Sequence, residues 1–206
     1  MDLRTRYLGL DLRSPLVVSA CTLSEEIDNI LRMEDAGAGA VVLFSLFEEQ
    51  IRLEEKHMEN VLASTSNMFA EASDYFPQLE DYHVGTSQYL EHLRMAKERT
   101  SIPIIASLNG TTPEGWINYA RDLEQAGADA LEVNIFYIPA DIRLSATEVE
   151  NRYLDIIRAV RKTVKIPLSV KLNPYFSAMG NMAARMEEAG ADGVVRTVEN
   201  ITDPKY

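Results

Sequence analysis

An internal repeat constrains the fold of this chain more than any other feature. Ile102-Pro103-Ile104-Ile105-Ala106-Ser107-Leu108-Asn109 is matched by Ile166-Pro167-Leu168-Ser169-Val170-Lys171-Leu172-Asn173. Roughly two dozen residues further on, a second element recurs as Glu124-Gln125-Ala126-Gly127-Ala128-Asp129 and Glu187-Glu188-Ala189-Gly190-Ala191-Asp192. A third copy stands at Glu34-Asp35-Ala36-Gly37-Ala38-Gly39. Ala-Gly-Ala closing an amphipathic stretch reads as a helix C-terminus whose glycine supplies the left-handed cap. The apolar run that follows reads as a strand buried on both faces. Ile-Pro opens the other strand type, because proline is tolerated at a first strand residue. A strand–helix–strand–helix unit therefore recurs, and strands joined by helices run parallel.

The pattern predicts strands near 15–20, 40–45, 103–108, 130–135, 167–172 and 193–198. It predicts helices near 24–36, 87–99, 113–126, 147–164 and 177–189. Thr112 is suited to cap the third helix, with Pro113 at its first position. Ile156, Ile157, Val160 and Val164 form the apolar face of the fourth. The segment 46–86 has no period and reads as a long βα loop, a length often tied to function. Repeats that add two strands at a time favour an eight-stranded barrel, which typically needs about 250 residues. The chain has 206 residues, and its tail from Arg196 carries no helical pattern. The expected fold is thus α/β, a TIM-type (β/α)8 barrel with about six of its eight strands, in one domain over 1–206, truncated at its C-terminus.

Composition narrows the function classes. With 46% hydrophobic and 25% charged residues, the chain can bury an ordinary globular core. Its formal net charge of −12 argues against nucleic acid as a partner. No apolar run reaches the ~18 residues of a membrane span. No signal-like N-terminus is present, and Cys21, the one cysteine, has no partner for an internal disulfide. A cytoplasmic chain is expected.

In parallel barrels the working face is the C-terminal end of the strands. That rule selects Ser19, Ala20 and Cys21 after the first strand, Ser45 after the second and Asn109 after the third. It also selects Asn134 at the end of the fourth and Lys171 at the end of the fifth. A polar group in a buried strand is costly unless paired, so Asn134 and Lys171 are the informative positions. Lys171 either holds a negative charge on a ligand or pairs with Glu132. Asn134 either fixes a ring edge, donating and accepting together, or is a satisfied core amide. Cys21 reads as a small buried hydrophobe. His57, His83 and His92 lack metal-ligand spacing and read as surface residues. Glu48, Glu49, Glu54 and Glu55 read as a solvated charge run, and Met58 and Met68 as loop packing. There is no Gly-x-Gly-x-x-Gly and no Walker loop.

Ser14-Pro15-Leu16-Val17-Val18-Ser19-Ala20, Ala36-Gly37-Ala38-Gly39-Ala40-Val41-Val42, Glu132-Val133-Asn134 and Val170-Lys171-Leu172 stand in the order and spacing of one family. Across nearly its whole length the chain resembles the dihydroorotate dehydrogenases. The resemblance implies a commonly dimeric, FMN-dependent (β/α)8 barrel of pyrimidine biosynthesis. Such a barrel oxidises a small dihydropyrimidine by taking a proton and passing a hydride to flavin N5. It implies FMN contacts at Ser19, Ala20, Ser45, Asn109, Asn134 and Lys171. Three positions depart from the family pattern. Phe44-Ser45 replaces the family's Lys-Ser, and no Asn-x-Met-Gly-Leu-x-Asn loop lies between 46 and 86. Tyr137 stands where the family has its Cys or Ser base, and tyrosine, with a free pKa near ~10, is a poor base at neutral pH. The glycine-rich phosphate site expected after the sixth strand is not in the sequence. Two alternatives stand beside the oxidoreductase reading: a non-catalytic remnant without flavin, and an aldolase or synthase using a Schiff base on Lys171.

Overall fold

The computed structural model describes residues 2–47, 85–110, 113–135, 137–173 and 176–196. The chain enters as an antiparallel hairpin of β1 (Thr5–Tyr7) and β2 (Leu10–Leu12). Six parallel strands follow and pair in chain order: β3 (Val17–Val18), β4 (Ala40–Phe47), β5 (Ile104–Asn109), β6 (Ala130–Asn134), β7 (Leu168–Leu172) and β8 (Gly193–Arg196). A helix lies in every crossover: α1 (Ile27–Asp35), α2 (Gly85–Arg99), α3 (Pro113–Gln125), α4 (Ala146–Thr163) and α5 (Met179–Ala189). This is the winding of a TIM-type barrel, present here as six of the eight strands. Every expected strand and helix is found within three residues of its expected bounds. The hairpin was not expected. The expected loop 46–86 falls mostly outside the described residues, but both ends are corrected: Phe47 still belongs to β4, and Gly85 already opens α2. Thr112, His57, His83, the glutamates of 48–55, Met58 and Met68 lie outside the described residues.

The repeat has a common local mechanism. Gly37, Gly127 and Gly190 adopt φ of 98°, 98° and 111°. In each copy the glycine N–H donates three residues back and the next alanine N–H five residues back, a double closure of the helix end. The aspartate that follows ties three elements together. Asp129 accepts from Lys97 Nζ at 2.6 Å and from the Ile104 N–H at 2.7 Å. Asp192 accepts from Arg161 at 3.0 Å and from the Leu168 N–H at 2.8 Å. The first copy has Gly39 there instead, because a Cβ at that position would lie 2.0 Å from the Ser14 carbonyl oxygen.

Side-chain alternation divides the sheet. Val41, Leu43, Ile104, Ala106, Leu108, Leu131, Val133, Leu168, Val170 and Leu172 pack under the helices in the main core. Ala40, Val42, Ile105 and Ala130 face the other way, where Leu8 and Leu12 of the hairpin cover them. The hairpin therefore closes the N-terminal end of the concave face. Beyond it, toward the strand C-termini, the concave face becomes polar.

Candidate functional site

Strand register builds the site. At one level of the concave face Ser45, Ser107, Glu132 and Ser169 are successive partners on β4 to β7. One step nearer the C-terminal rim, Phe47, Asn109, Asn134, Lys171 and Val195 are successive partners across β4 to β8. The structure thus brings Ser45, Asn109, Asn134 and Lys171 into two adjoining rows. Ser19 and Ala20 do not join them. The β3 ladder ends at Val18, Ser19 is exposed, and Ala20 packs against the apolar cluster of the hairpin.

Ser45 reaches the concave face through a bulge. The β4–β5 register shifts between Val42 and Ser45, so Leu43 and Phe44 both turn toward the helices. Phe44, at the family's lysine position, meets the rings of Tyr89 and His92 edge-on, at 4.9 and 5.5 Å. The broken ladder is repaired by side chains. The Ser107 N–H donates to Tyr89 Oη at 3.1 Å, and the Phe44 N–H donates to Ser24 Oγ at 2.7 Å. Burial pushes the Tyr89 phenol well above its ordinary range, as suits a group that stays protonated between backbone partners. His92 is buried and lies 2.7 Å from the Ser24 carbonyl oxygen, which corrects its reading as a surface residue. Its contact partner lies 68 residues away, beyond the reach of any local pattern. Cys21 is half-exposed rather than buried, because the tight turn Thr22–Glu25 begins immediately after it.

Below Ser45, the Ser45 and Ser107 hydroxyls meet at 2.9 Å. Lys171 Nζ lies 2.7 Å from Glu132 Oε1, the two side chains being 16% and 4% exposed. The pair is close but off-line: Oε1 is buried and receives no aligned hydrogen bond from the described residues. From below, Tyr7 of the hairpin packs against the apolar cluster of the concave face. Burial, then the Glu132 charge, raises its phenol above the ordinary value, against the lowering effect of the Ser169 hydroxyl. The sequence alone pointed to Glu132 as a partner for Lys171. It gave no sign of Tyr7, and Ser107 carried a signal only as a polar residue inside a buried strand.

The resulting arrangement is a donor–acceptor strip. Lysine and two amides supply donors, the amides supply acceptors, and apolar walls lie below. It suits the edge of a flat heterocycle that alternates N–H and C=O groups. Tyr137, three residues past Asn134, is half-buried with the Arg152 guanidinium stacked 4.2 Å from its ring centre. No described helix is long and apolar enough to cross a membrane.

A parallel β/α barrel with polar groups gathered at its strand C-termini has the layout of a barrel enzyme. Residues 79–204 match the family profile for dihydroorotate dehydrogenase. The chain is 30% identical over 197 residues to the dihydroorotate dehydrogenase B (NAD(+)) catalytic subunit of Methanocella arvoryzae, covering 91% of this chain and 58% of that protein. It is 26% identical over 200 residues to the corresponding subunit of Thermoplasma acidophilum, covering 96% and 63%. This chain belongs to the dihydroorotate dehydrogenase family, and it spans about three fifths of the length of these curated relatives. Among solved structures, a dihydrodipicolinate synthetase of Pseudomonas aeruginosa superposes with a TM-score of 0.54 at 16% identity, covering 88% of this chain and 55% of the other. At that identity the likeness is one of fold.

Proposed function

We propose that this chain is a flavin-binding oxidoreductase of the dihydroorotate dehydrogenase type, acting on the CH–CH bond of a small dihydropyrimidine-like substrate. The observation that carries the reading is the polar row Asn109–Asn134–Lys171 above the Glu132 carboxylate. The residues fit FMN on their own chemistry, since a flavin's pyrimidine edge presents N–H and C=O groups in alternation, and the Asn109 and Asn134 amides with the Lys171 ammonium offer donors and acceptors in one row. When bound, FMN supplies a two-electron acceptor for hydride from a substrate C–H bond. In this reading Lys171 and Asn134 hold the ring edge. Ser45 and Asn109 bound it on the β4–β5 side, whereas Ser19 and Ala20 stand away from these rows. Glu132 keeps the lysine ammonium in place, and the apolar plug beneath excludes water from that end. Tyr137 stands at the family's base position, its ring plane fixed by Arg152. Lys171 engages Glu132 rather than standing open to a carbonyl carbon, which disfavours the Schiff-base alternative. The homodimer implied by the family resemblance belongs to the same reading and is checked by sedimentation velocity.

The test is flavin retention after desalting, followed by absorbance. The proposal expects a bound flavin band in the parent chain and its loss in Lys171→Ala and Asn134→Ala. Equal retention by parent and variants would refute the site, and no retention by the parent would refute the function.

A further inference from the structure

A cavity lies outside the polar rows. It has a volume of about 490 Å3 and sits between the loop after β6, the first turns of α4 and the loop after β7. That volume lies within the range of small-molecule sites. Its walls are Tyr137, Leu144, Val149, Tyr153, Asn173 and Phe176, with Pro139 and Ile138 at the lip. Three aromatic rings line it, and Tyr153 and Phe176 meet edge-on at 5.1 Å and 81°. The walls are pinned together. Tyr153 Oη accepts from Asn173 Nδ2 at 3.0 Å and from the Tyr137 backbone N–H, so residues of three separate elements converge on one phenol. Tyr153 itself is 1% exposed, and its burial raises the phenol above the ordinary range.

The charges around the cavity are already matched. Glu150 is paired with Arg185, Arg152 is stacked on the Tyr137 ring, and Asp141 is held by Arg143 at 2.7 Å. A charged ligand group entering here would displace one of these contacts or remain unpaired, and both are costly. The lip is unusually apolar: Ile138 is 68% exposed, and Ile142, on the same loop, is fully exposed. Ring edges and faces set at fixed angles favour a flat ring over an aliphatic chain.

We propose that this cavity is a binding site for an uncharged aromatic ring, carried by a small-molecule ligand that enters past Ile138 between α4 and the loop after β7. The cavity lies outside the row Asn109–Asn134–Lys171 and shares only Tyr137 with the proposed flavin site.

The experiment is titration of the full chain, without added flavin, with benzamide, indole and benzoate. It is followed by NMR on protein carrying ring-labelled tyrosine. Two surface plugs accompany it, Ala146→Trp and Ser177→Trp. Both positions line the cavity and are exposed, so the fold tolerates them, and circular dichroism checks that it does. The expected result is saturable binding of benzamide and indole, at least about tenfold tighter than benzoate. Contacts from the ligand to the Tyr137 and Tyr153 rings are expected, with at least about tenfold weakening in both plugged variants. Benzoate binding as tightly as benzamide, binding unchanged by either plug, or no saturable binding of either uncharged probe would each overturn the proposal. Tyrosine shifts that instead follow protein concentration, without ligand, would assign the cavity to a second copy of the chain and also overturn it.

Discussion

The two ends of the concave face are built from the same strands and behave as opposites. At the N-terminal end, Ala40, Val42, Ile105 and Ala130 meet Leu8 and Leu12 in a closed apolar contact. Two to four residues along from Val42, Ile105 and Ala130, the same strands hold Ser45, Ser107, Asn109, Glu132 and Asn134, and Lys171 joins them from β7. The plug satisfies every side chain by burial. The rim holds polar atoms in a buried layer, with the Glu132 carboxylate paired to Lys171 at 2.7 Å. An arrangement that only stabilised the fold would continue the apolar layers upward, as barrel interiors commonly do. In the proposed reading, the change from apolar to polar within one strand marks where stability gives way to recognition.

The contrast can be broken most severely at the ion pair. Glu132→Ala leaves Lys171 as a mostly buried, unmatched charge and is expected to cost about 3 kcal/mol in urea unfolding, while Glu132→Leu with Lys171→Met recovers most of that loss. A double variant as unstable as the single one would mean that the layer is held by something other than the pair. In the plug, Leu12→Ala removes a side chain that is 2% exposed and is expected to cost about 2–3 kcal/mol with flavin affinity unchanged. Loss of affinity there would show that the two ends are coupled.

Smaller effects sharpen the picture at the bulge. Tyr89→Phe leaves the Ser107 N–H without its acceptor and is expected to cost about 1–2 kcal/mol. The same substitution reads out in alkali. Tyr7, Tyr89 and Tyr153 all have phenols raised by burial. Their contribution to stability is complete below the ordinary tyrosine value near ~10 and is lost as pH rises from there through the raised folded values, because the unfolded state ionises first. Thermal melts from pH 9 to 12 are expected to fall steeply in the parent and less steeply in Tyr89→Phe. A parallel fall in both would show that this phenol does not govern alkaline unfolding.

What the sequence made legible was whatever repeated. The three Ala-Gly-Ala caps and two Ile-Pro strand starts located the ends of α1, α3 and α5 and the strands β4 to β8, because each cap uses a glycine of similar φ and the same backbone closure. The register then placed Asn109, Asn134 and Lys171 side by side with little left to chance. Features that occur once stayed hidden. The hairpin is two three-residue strands around Leu8 and Gly9, too short to show a period. The bulge that returns Ser45 to the concave face depends on Tyr89 and Ser24, partners 18 and 20 residues from the groups they satisfy. Lys171 illustrates a choice that sequence posed and structure partly dissolved: the ion pair with Glu132 is present, and the same ammonium still borders the rim.

Riboflavin affinity by fluorescence quenching, for the parent chain and for Asn134→Ala, probes ring recognition by the polar row. Riboflavin carries the ring without the phosphate, so it reads the polar row alone. Saturable quenching is expected in the parent and at least about tenfold weaker binding in the variant, with a stability loss under about 1 kcal/mol because Asn134 is only partly buried. Equal affinity in the two proteins, or no binding by the parent, would contradict ring recognition by this row.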